Sequence, residues 1–468
     1  MRAQIALFVG LAMVQPPAIA YQPDVFDTEK QVLSPQRHLS GAACTLPSIS
    51  HVLTLENVIE HVLCNDPKIS LAWANAKAQA AQIGTARSAW LPRLTGATSS
   101  NRSHQEFDYE NVPQLSRRDG QLSNSYGLSL SWVLLDFGRR SAALDMAQQL
   151  LSVANASQDA ALQNAFVVAS QAYYSVLAAQ RTLTAALQVE RLAAQNFEAA
   201  DAKFKAGAAA LSDRLQAQTA LSQARLRVTR DEGAFIHSSG VLALRMGLSP
   251  QTRLDLASDL DTFAATDFVK SIDDLLIETR LNNPGLLSAA AQVKASQAAI
   301  EDARAAGRPT LSLVSNLTRS HSTQTTSING DFRQRDQSIG VQLTIPLFEG
   351  FERGYQIRNA MARQEASQAQ MADIEQRVVL ETWQFYQTLS IETRSLQRTQ
   401  ELVDQSRQSL EVVQGRYQSG VGSMIELLNA LTAYANAEQE HIQALISWQT
   451  ARLSLAASLG QLNLSMLH

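Results

Sequence analysis

Residues Leu130–Arg140 read LSWVLLDFGRR, an apolar run that stops at an acid, an aromatic, a glycine and two arginines. A second version, LTIPLFEGFER, occupies Leu343–Arg353, 343 minus 130, or 213, residues further on. Before the first junction Leu122, Asn124, Tyr126, Leu128, Leu130, Trp132 and Leu134 fall on one side of an extended chain, with Ser123, Ser125, Gly127, Ser129 and Ser131 on the other. A period of two is a strand. Before the second, Ile339, Val341, Leu343, Ile345 and Leu347 alternate with Ser338, Gly340, Gln342, Thr344 and Pro346, and Leu311, Leu313 and Leu317 supply a hairpin partner. After each junction the pattern is helical. Gly138 to Phe204 contains no proline and no internal glycine, and its 67 residues would extend roughly 100 Å at about 1.5 Å each. Phe351 to Tyr417 has the same length by equal offset.

The whole chain is a tandem duplication. Asn65, Pro67, Lys77, Arg87 and Pro92 recur as Asn282, Pro284, Lys294, Arg304 and Pro309, at an offset of 217. From Gly127 to Gly247 the offset is 213, so the segment between Pro92 and Gly127 is four residues longer than its copy, as a surface loop tolerates. The reading is a signal peptide at 1–20, an N-terminal arm at 21–52, repeat 1 at 53–247, a linker at 248–270, repeat 2 at 271–462 and a short tail at 463–468. Repeat 1 carries a strand hairpin at about 93–135 and a helical hairpin at 138–246. Repeat 2 carries the same elements at about 310–348 and 351–459. Leu144, Leu151, Phe166, Tyr173, Leu177, Leu187 and Leu192 form an intermittent stripe along the first long helix, whose role is core packing.

Arg2, the apolar run Ile5–Val14 and Ala18-Ile19-Ala20 read as a secretory signal cleaved after Ala20. The formal charge of -4 offers nothing for nucleic acid, and no uninterrupted apolar run reaches the roughly twenty residues of a membrane helix. If this chain enters a membrane, strands carry it there. Their second face, made of Ser, Gly, Thr and Gln, suits a watery lumen, while Tyr126 and Trp132 suit lipid interfaces. Two hairpins give four strands, too few to close a barrel of at least about eight. An open edge in lipid leaves backbone amides unpaired at several kcal/mol each, so the chain must oligomerise, as a dimer with eight strands or a trimer with twelve. Cys44 and Cys64 could close a short loop in an oxidising compartment. GAAC at 41–44 is no lipid-anchor site, because VLSPQRHLS precedes it where an apolar segment belongs.

The two junctions, together with the paired turns KFKAGAAALSD and RYQSGVGSMIE in the same order and at a common offset, resemble the TolC outer-membrane efflux family from about Leu53 to Leu462. That resemblance implies a mixed α and β membrane protein. Its homotrimer would share one 12-stranded outer-membrane β-barrel, continuous with a long periplasmic α-helical barrel. It further implies a periplasmic adaptor, an inner-membrane pump with the ABC type favoured, and a secreted polypeptide or small toxic compounds as cargo. The implied location is the outer membrane of a Gram-negative cell. Asp213, Tyr417, Glu426 and Asn429 fall on positions resembling the periplasmic constriction, where some relatives carry an acid at Asn429 and an arginine at Gly422. Gly207, Ala208, Gly420, Val421 and Ser423 are the turn candidates for adaptor docking, and Asp136, Gly138, Pro346 and Glu349 mark the barrel–helix junctions.

Simple helix chemistry competes for the same residues. Ser423 and Glu426 have capping-box spacing, and Asp213 stands at a helix start, where an acid is favourable without any pore. No HExxH, paired CxxC, phosphate loop or GxSxG occurs, and GVGSMI lacks the third glycine of a dinucleotide turn. The sequence therefore points to no catalytic, cofactor or metal residues, and His441 reads as an ordinary surface histidine. The rival reading is a periplasmic structural or adaptor coiled coil without a pore.

Overall fold

The computed structural model describes residues 24–32, 52–257, 271–325 and 330–460. The expected signal peptide, Cys44, most of the N-terminal arm, the distal linker and the tail lie outside the described residues. Two compact units emerge, one of residues 24–32, Lys77–Leu151 and Lys294–Gln364, the other of residues 52–76, Ser152–Val293 and 365–460.

The elements run α1 (Leu55–Asn65), α2 (Pro67–Ser88), β1 (Arg93–Phe107), β2 (Arg117–Leu135), α3 (Arg139–Lys205) and α4 (Leu211–Arg245). They then repeat as α5 (Ile272–Asn282), α6 (Pro284–Ala305), β3 (Thr310–Thr325), β4 (Gly330–Thr344), α7 (Glu352–Gln418) and α8 (Met424–Ser458). The paired helices α3 and α7 have 67 residues each, and α4 and α8 have 35 each. Pro346 lies beyond the last residue of β4, where its missing N–H breaks no ladder bond.

In the first unit the strands form one antiparallel sheet in the order β1-β2-β3-β4, so the central pair joins the two repeats. Register places Leu135, Leu311 and Leu343 in one row, Trp132, Leu313 and Val341 in the next, and Leu94, Leu130, Ser315 and Ile339 in a third. Gly96, Leu128, Leu317 and Gln337 follow. This is an apolar band across one face. The opposite face carries rows such as Thr95, Ser129, Asn316 and Ser338. Tyr126 and Trp132 stand near the two borders of the band, six residues apart, or roughly 20 Å along the strand. One detail departs from simple alternation: a bulge between Val133 and Leu135 makes Leu135, rather than Leu134, the partner of Leu311. Val133-Leu134-Leu135 is apolar throughout, so no polar residue marks the extra position. β1 and β4 are edges of 15 residues each. About half of their backbone groups point outward unpaired, which lipid does not tolerate.

The second unit is all helix apart from one parallel bridge, Leu53 to Leu256, in which the Leu53 amide donates to Asp255 O at 2.7 Å. Val58, Ile59, Val62, Phe166, Tyr173, Leu242 and Met246 form a core against that bridge. A second core joins all four long helices through Ala193, Ala200, Leu221, Leu410, Leu427 and Leu431. The α3 stripe buries Leu151, Phe166, Tyr173 and Leu177, but Leu187 is 45 % exposed. Beyond Leu177 the buried apolar positions of α3 are Ala186, Ala193 and Ala200, seven residues apart. Leu187 is one residue, about 100°, off that seam. Small residues there bring helix backbones close. His441 is half-buried rather than on the surface and shares a hydrogen bond of 3.2 Å with Thr399.

Candidate functional site: two strand–helix junctions and a pair of helical turns

Both junctions pass through two successive residues of positive φ. At the first they are Phe137 (φ 51°) and Gly138 (φ 105°); at the second, Gly350 (φ 59°) and Phe351 (φ 66°). Each copy thus spends one glycine and one phenylalanine on the same backbone shape, in opposite order. An acid then closes the turn onto the new helix. The Asp136 carboxylate, 8 % exposed, accepts from the Arg140 amide at 3.0 Å and from Arg140 Nε at 2.9 Å. The Arg140 guanidinium also donates to the carbonyls of Val133 (2.7 Å) and Leu134 (3.3 Å), at the bulge. One side chain therefore ties the strand end to the helix start. Glu349 forms the corresponding ion pair with Arg353, but with side chains 41 % and 27 % exposed, and Arg353 donates to Gly307 O instead of to the strand end. The arginines are the part that sequence reading left unassigned. Their signal was available as an acid four residues before an arginine in both copies.

At the far ends of the long helices, in the second unit, the turns are also twins. Gly207 (φ 74°) and Gly420 (φ 83°) follow α3 and α7 in left-handed conformation. The Ala208 amide reaches back to Lys203 O at 2.8 Å and the Val421 amide to Arg416 O at 3.0 Å, which satisfies carbonyls the helix end would leave open. The next helices start differently. Ala210 caps α4 without a side-chain bond, with Asp213 in the first turn. Ser423 caps α8 by accepting from the Glu426 amide at 3.2 Å. The expected capping box forms only by half. The Glu426 carboxylate faces Arg416 Nη1 at 3.7 Å instead of returning to Ser423.

Tyr417 is the buried member of this cluster, 4 % exposed. Its ring lies under the Lys203 ammonium at 4.2 Å, and Lys203 also donates to Tyr417 O. Burial first, and the negative charge of Asp213 second, push the Tyr417 hydroxyl above its usual pKa of 10.0. Asp201 binds Lys205 at 2.6 Å and Arg214 at 2.7 Å, and the Lys205 hydrogen bond foremost holds its carboxyl below the usual range. Asp213 and Tyr417 are thus neighbours, Glu426 belongs to Arg416, and Asn429 is exposed one turn further along α8. Lys203, Arg214 and Arg416 were not legible as members, because long side chains reach partners that only packing brings near. Above the turns, α3, α4 and α8 border a groove of about 480 Å³ that includes Leu215, Thr219, Arg227 and Leu431. Cys64 is disulfide-bonded, and the chain's other cysteine, Cys44, is outside the described residues. Among the described residues no cluster of His, Cys, Asp and Glu could hold a metal ion.

The family model described as outer membrane efflux protein matches twice, over residues 58–247 and 275–461, one match to each repeat. Protein CyaE of Bordetella pertussis is 30 % identical over 414 residues, 88 % of this chain and 85 % of that protein. The alkaline protease secretion protein AprF of Pseudomonas aeruginosa is 25 % identical over 398 residues, 83 % of this chain and 80 % of that one. Among solved structures, CusC superposes with a TM-score of 0.74 at 20 % identity, over 87 % of this chain and 92 % of that one. With its repeat doubly matched and its four strands making one third of a trimeric barrel, this chain belongs to the outer membrane efflux protein family, the outer-membrane channels of Gram-negative bacteria.

Proposed function

We propose that the protein is the exit duct of a three-part export system, passing a secreted polypeptide handed over by a periplasmic adaptor and an inner-membrane pump of the ABC type. The observation that carries the duct is the two-faced sheet, apolar on one side and lined by Ser, Thr, Asn and Gly on the other, which a pore-free coiled coil would not need. The likeness to AprF, named for protease secretion, favours a polypeptide as cargo. In this reading the duct performs no chemistry. Asp213, Tyr417 and Glu426 stand where the helical end narrows, Asn429 adds no charge there, and a partner opens it by binding the open arrangement more tightly than the closed one. The turns at Gly207–Ala208 and Gly420–Ser423 are the adaptor's landing place, since among the described residues nothing lies within 4 Å of where a side chain at Gly207 or Gly420 would begin. Cys64 bridges to Cys44, fastening the N-terminal arm to α1.

A deletion strain tests the cargo. Loss of a secreted polypeptide with unchanged sensitivity to dyes and detergents is expected. The converse result replaces this cargo with small toxic compounds. Purified trimer in a planar bilayer tests the duct itself: no conductance, even with Asp213→Asn and Glu426→Gln combined, refutes it.

A further inference from the structure

The apolar band ends, on the side of the hairpin loops, in a patch of arginines. The next row beyond Leu128 and Leu317 holds Tyr126, Arg319 and Arg335, and the row after that holds His321 and Arg333. Arg319 and Arg335 are direct cross-strand partners. Like charges in that position repel, and Arg333, two residues from Arg335, stands on the same face. All three arginines are exposed. None has an ion-pair partner among the described residues, and the one nearby acid of this face, Asp331, is placed against His321 at 3.9 Å and Thr323 at 3.1 Å. A chain that is acidic overall (-4) thus gathers three uncompensated guanidinium groups in one place.

The position says what they meet. The helices lie on the periplasmic side and leave the sheet at the junctions, so the hairpin end is the cell-surface end. Rows directly above an outward apolar band sit at the outer-leaflet headgroups, where Tyr126 also suits the interface. Guanidinium groups bind phosphate through paired N–H donors. We infer that Arg319, Arg333 and Arg335 form a site on the outer wall of the barrel for the phosphate groups of an outer-leaflet glycolipid, which neutralises their mutual repulsion and anchors the barrel at a fixed depth. The inference rests on the barrel and is independent of cargo and pump.

The test uses the intact trimer in detergent, titrated with bis-phosphorylated lipid A and, in parallel, with the same lipid after phosphatase treatment. Binding of the phosphorylated form alone, weakening with salt, is expected. Arg319→Gln, Arg333→Gln and Arg335→Gln together should weaken it roughly 100-fold, since each charge near an anionic headgroup is worth a factor of about five. Equal binding of the two lipids by wild-type protein overturns the site without any variant. So does undiminished binding by a triple variant that remains trimeric, or competition by millimolar inorganic phosphate, which would reveal a free-ion site. Conductance recorded on the same samples keeps this result separate from the duct: a conducting trimer that ignores lipid phosphate refutes the arginine site alone.

Discussion

The two junctions share a design but differ in depth, and that difference predicts unequal energies. In the Asp136–Arg140 pair both side chains are nearly covered, at 11 % and 13 % exposure, and the nitrogen–oxygen distance is 2.9 Å. Asp136→Asn keeps the shape and one amide acceptor while deleting the charge. A hydrogen bond between charged groups contributes about 1.5–3 kcal/mol, and the weaker acceptor at the helix start loses about 0.5 kcal/mol more, for a total of about 2–3.5 kcal/mol. Glu349→Gln removes an equivalent group that is 41 % exposed, so water recovers most of the loss and about 0.5 kcal/mol is expected. The assay is denaturant unfolding of the purified trimer at fixed protomer concentration, reading midpoint shifts at constant slope. A double-mutant cycle with Arg140→Gln should return about 2 kcal/mol of coupling at the first junction, and one with Arg353→Gln under 1 kcal/mol at the second. Equal couplings, or less than about 0.5 kcal/mol at the first, would refute the claim that burial makes Arg140 the tie between strand and helix.

Three further outcomes follow from burial and close contact. His61 is 2 % exposed and neither ring nitrogen has a partner among the described residues. Burial lowers its pKa from 6.5, so below about pH 6.5 the unfolded chain takes up a proton that the folded chain refuses, and stability is lost as the pH falls; His61→Leu should flatten that slope, and identical slopes would refute the assignment. Tyr417→Phe deletes a buried hydroxyl that has no hydrogen-bond partner among the described residues and should leave stability within about 0.5 kcal/mol, whereas Tyr417→Ala should cost about 3–5 kcal/mol. Gly460→Ala sets a Cβ 2.4 Å from Asn282 O at a φ of 73°. A loss of at least about 2 kcal/mol in the same unfolding assay is expected, and a neutral result would remove that contact.

Most of the fold was legible because its signals are long. A proline-free stretch of 67 residues reads as helix whatever packs on it, and Leu122 to Trp132 keeps its alternation without a break. Duplication helped further: Asn65 against Gly247 and Asn282 against Gly460 are the same pairing made twice, the asparagines 217 residues apart and the glycines 213. What escaped is short-range or depends on packing. The bulge near Leu134 hides in an apolar run, and Leu187 misses the seam because Ala186 occupies it. Glu426 carries the right spacing for a capping box, but Arg416 offers it a charged partner across the turn. At the candidate site the glycines and Asp213 could be named from position alone. Lys203, Arg214 and Arg416 could not, since their reach exceeds any local pattern.

The swapped order of Phe137-Gly138 and Gly350-Phe351 carries a lesson about descent. After the ancestral gene doubled, each half was free to decide which of two neighbouring sites took the small residue, provided the chain still swung round in the same way. What the two copies hold in common at these places is a path through space, while the letters have traded seats. Matching letters column by column therefore undervalues the likeness of the two junctions.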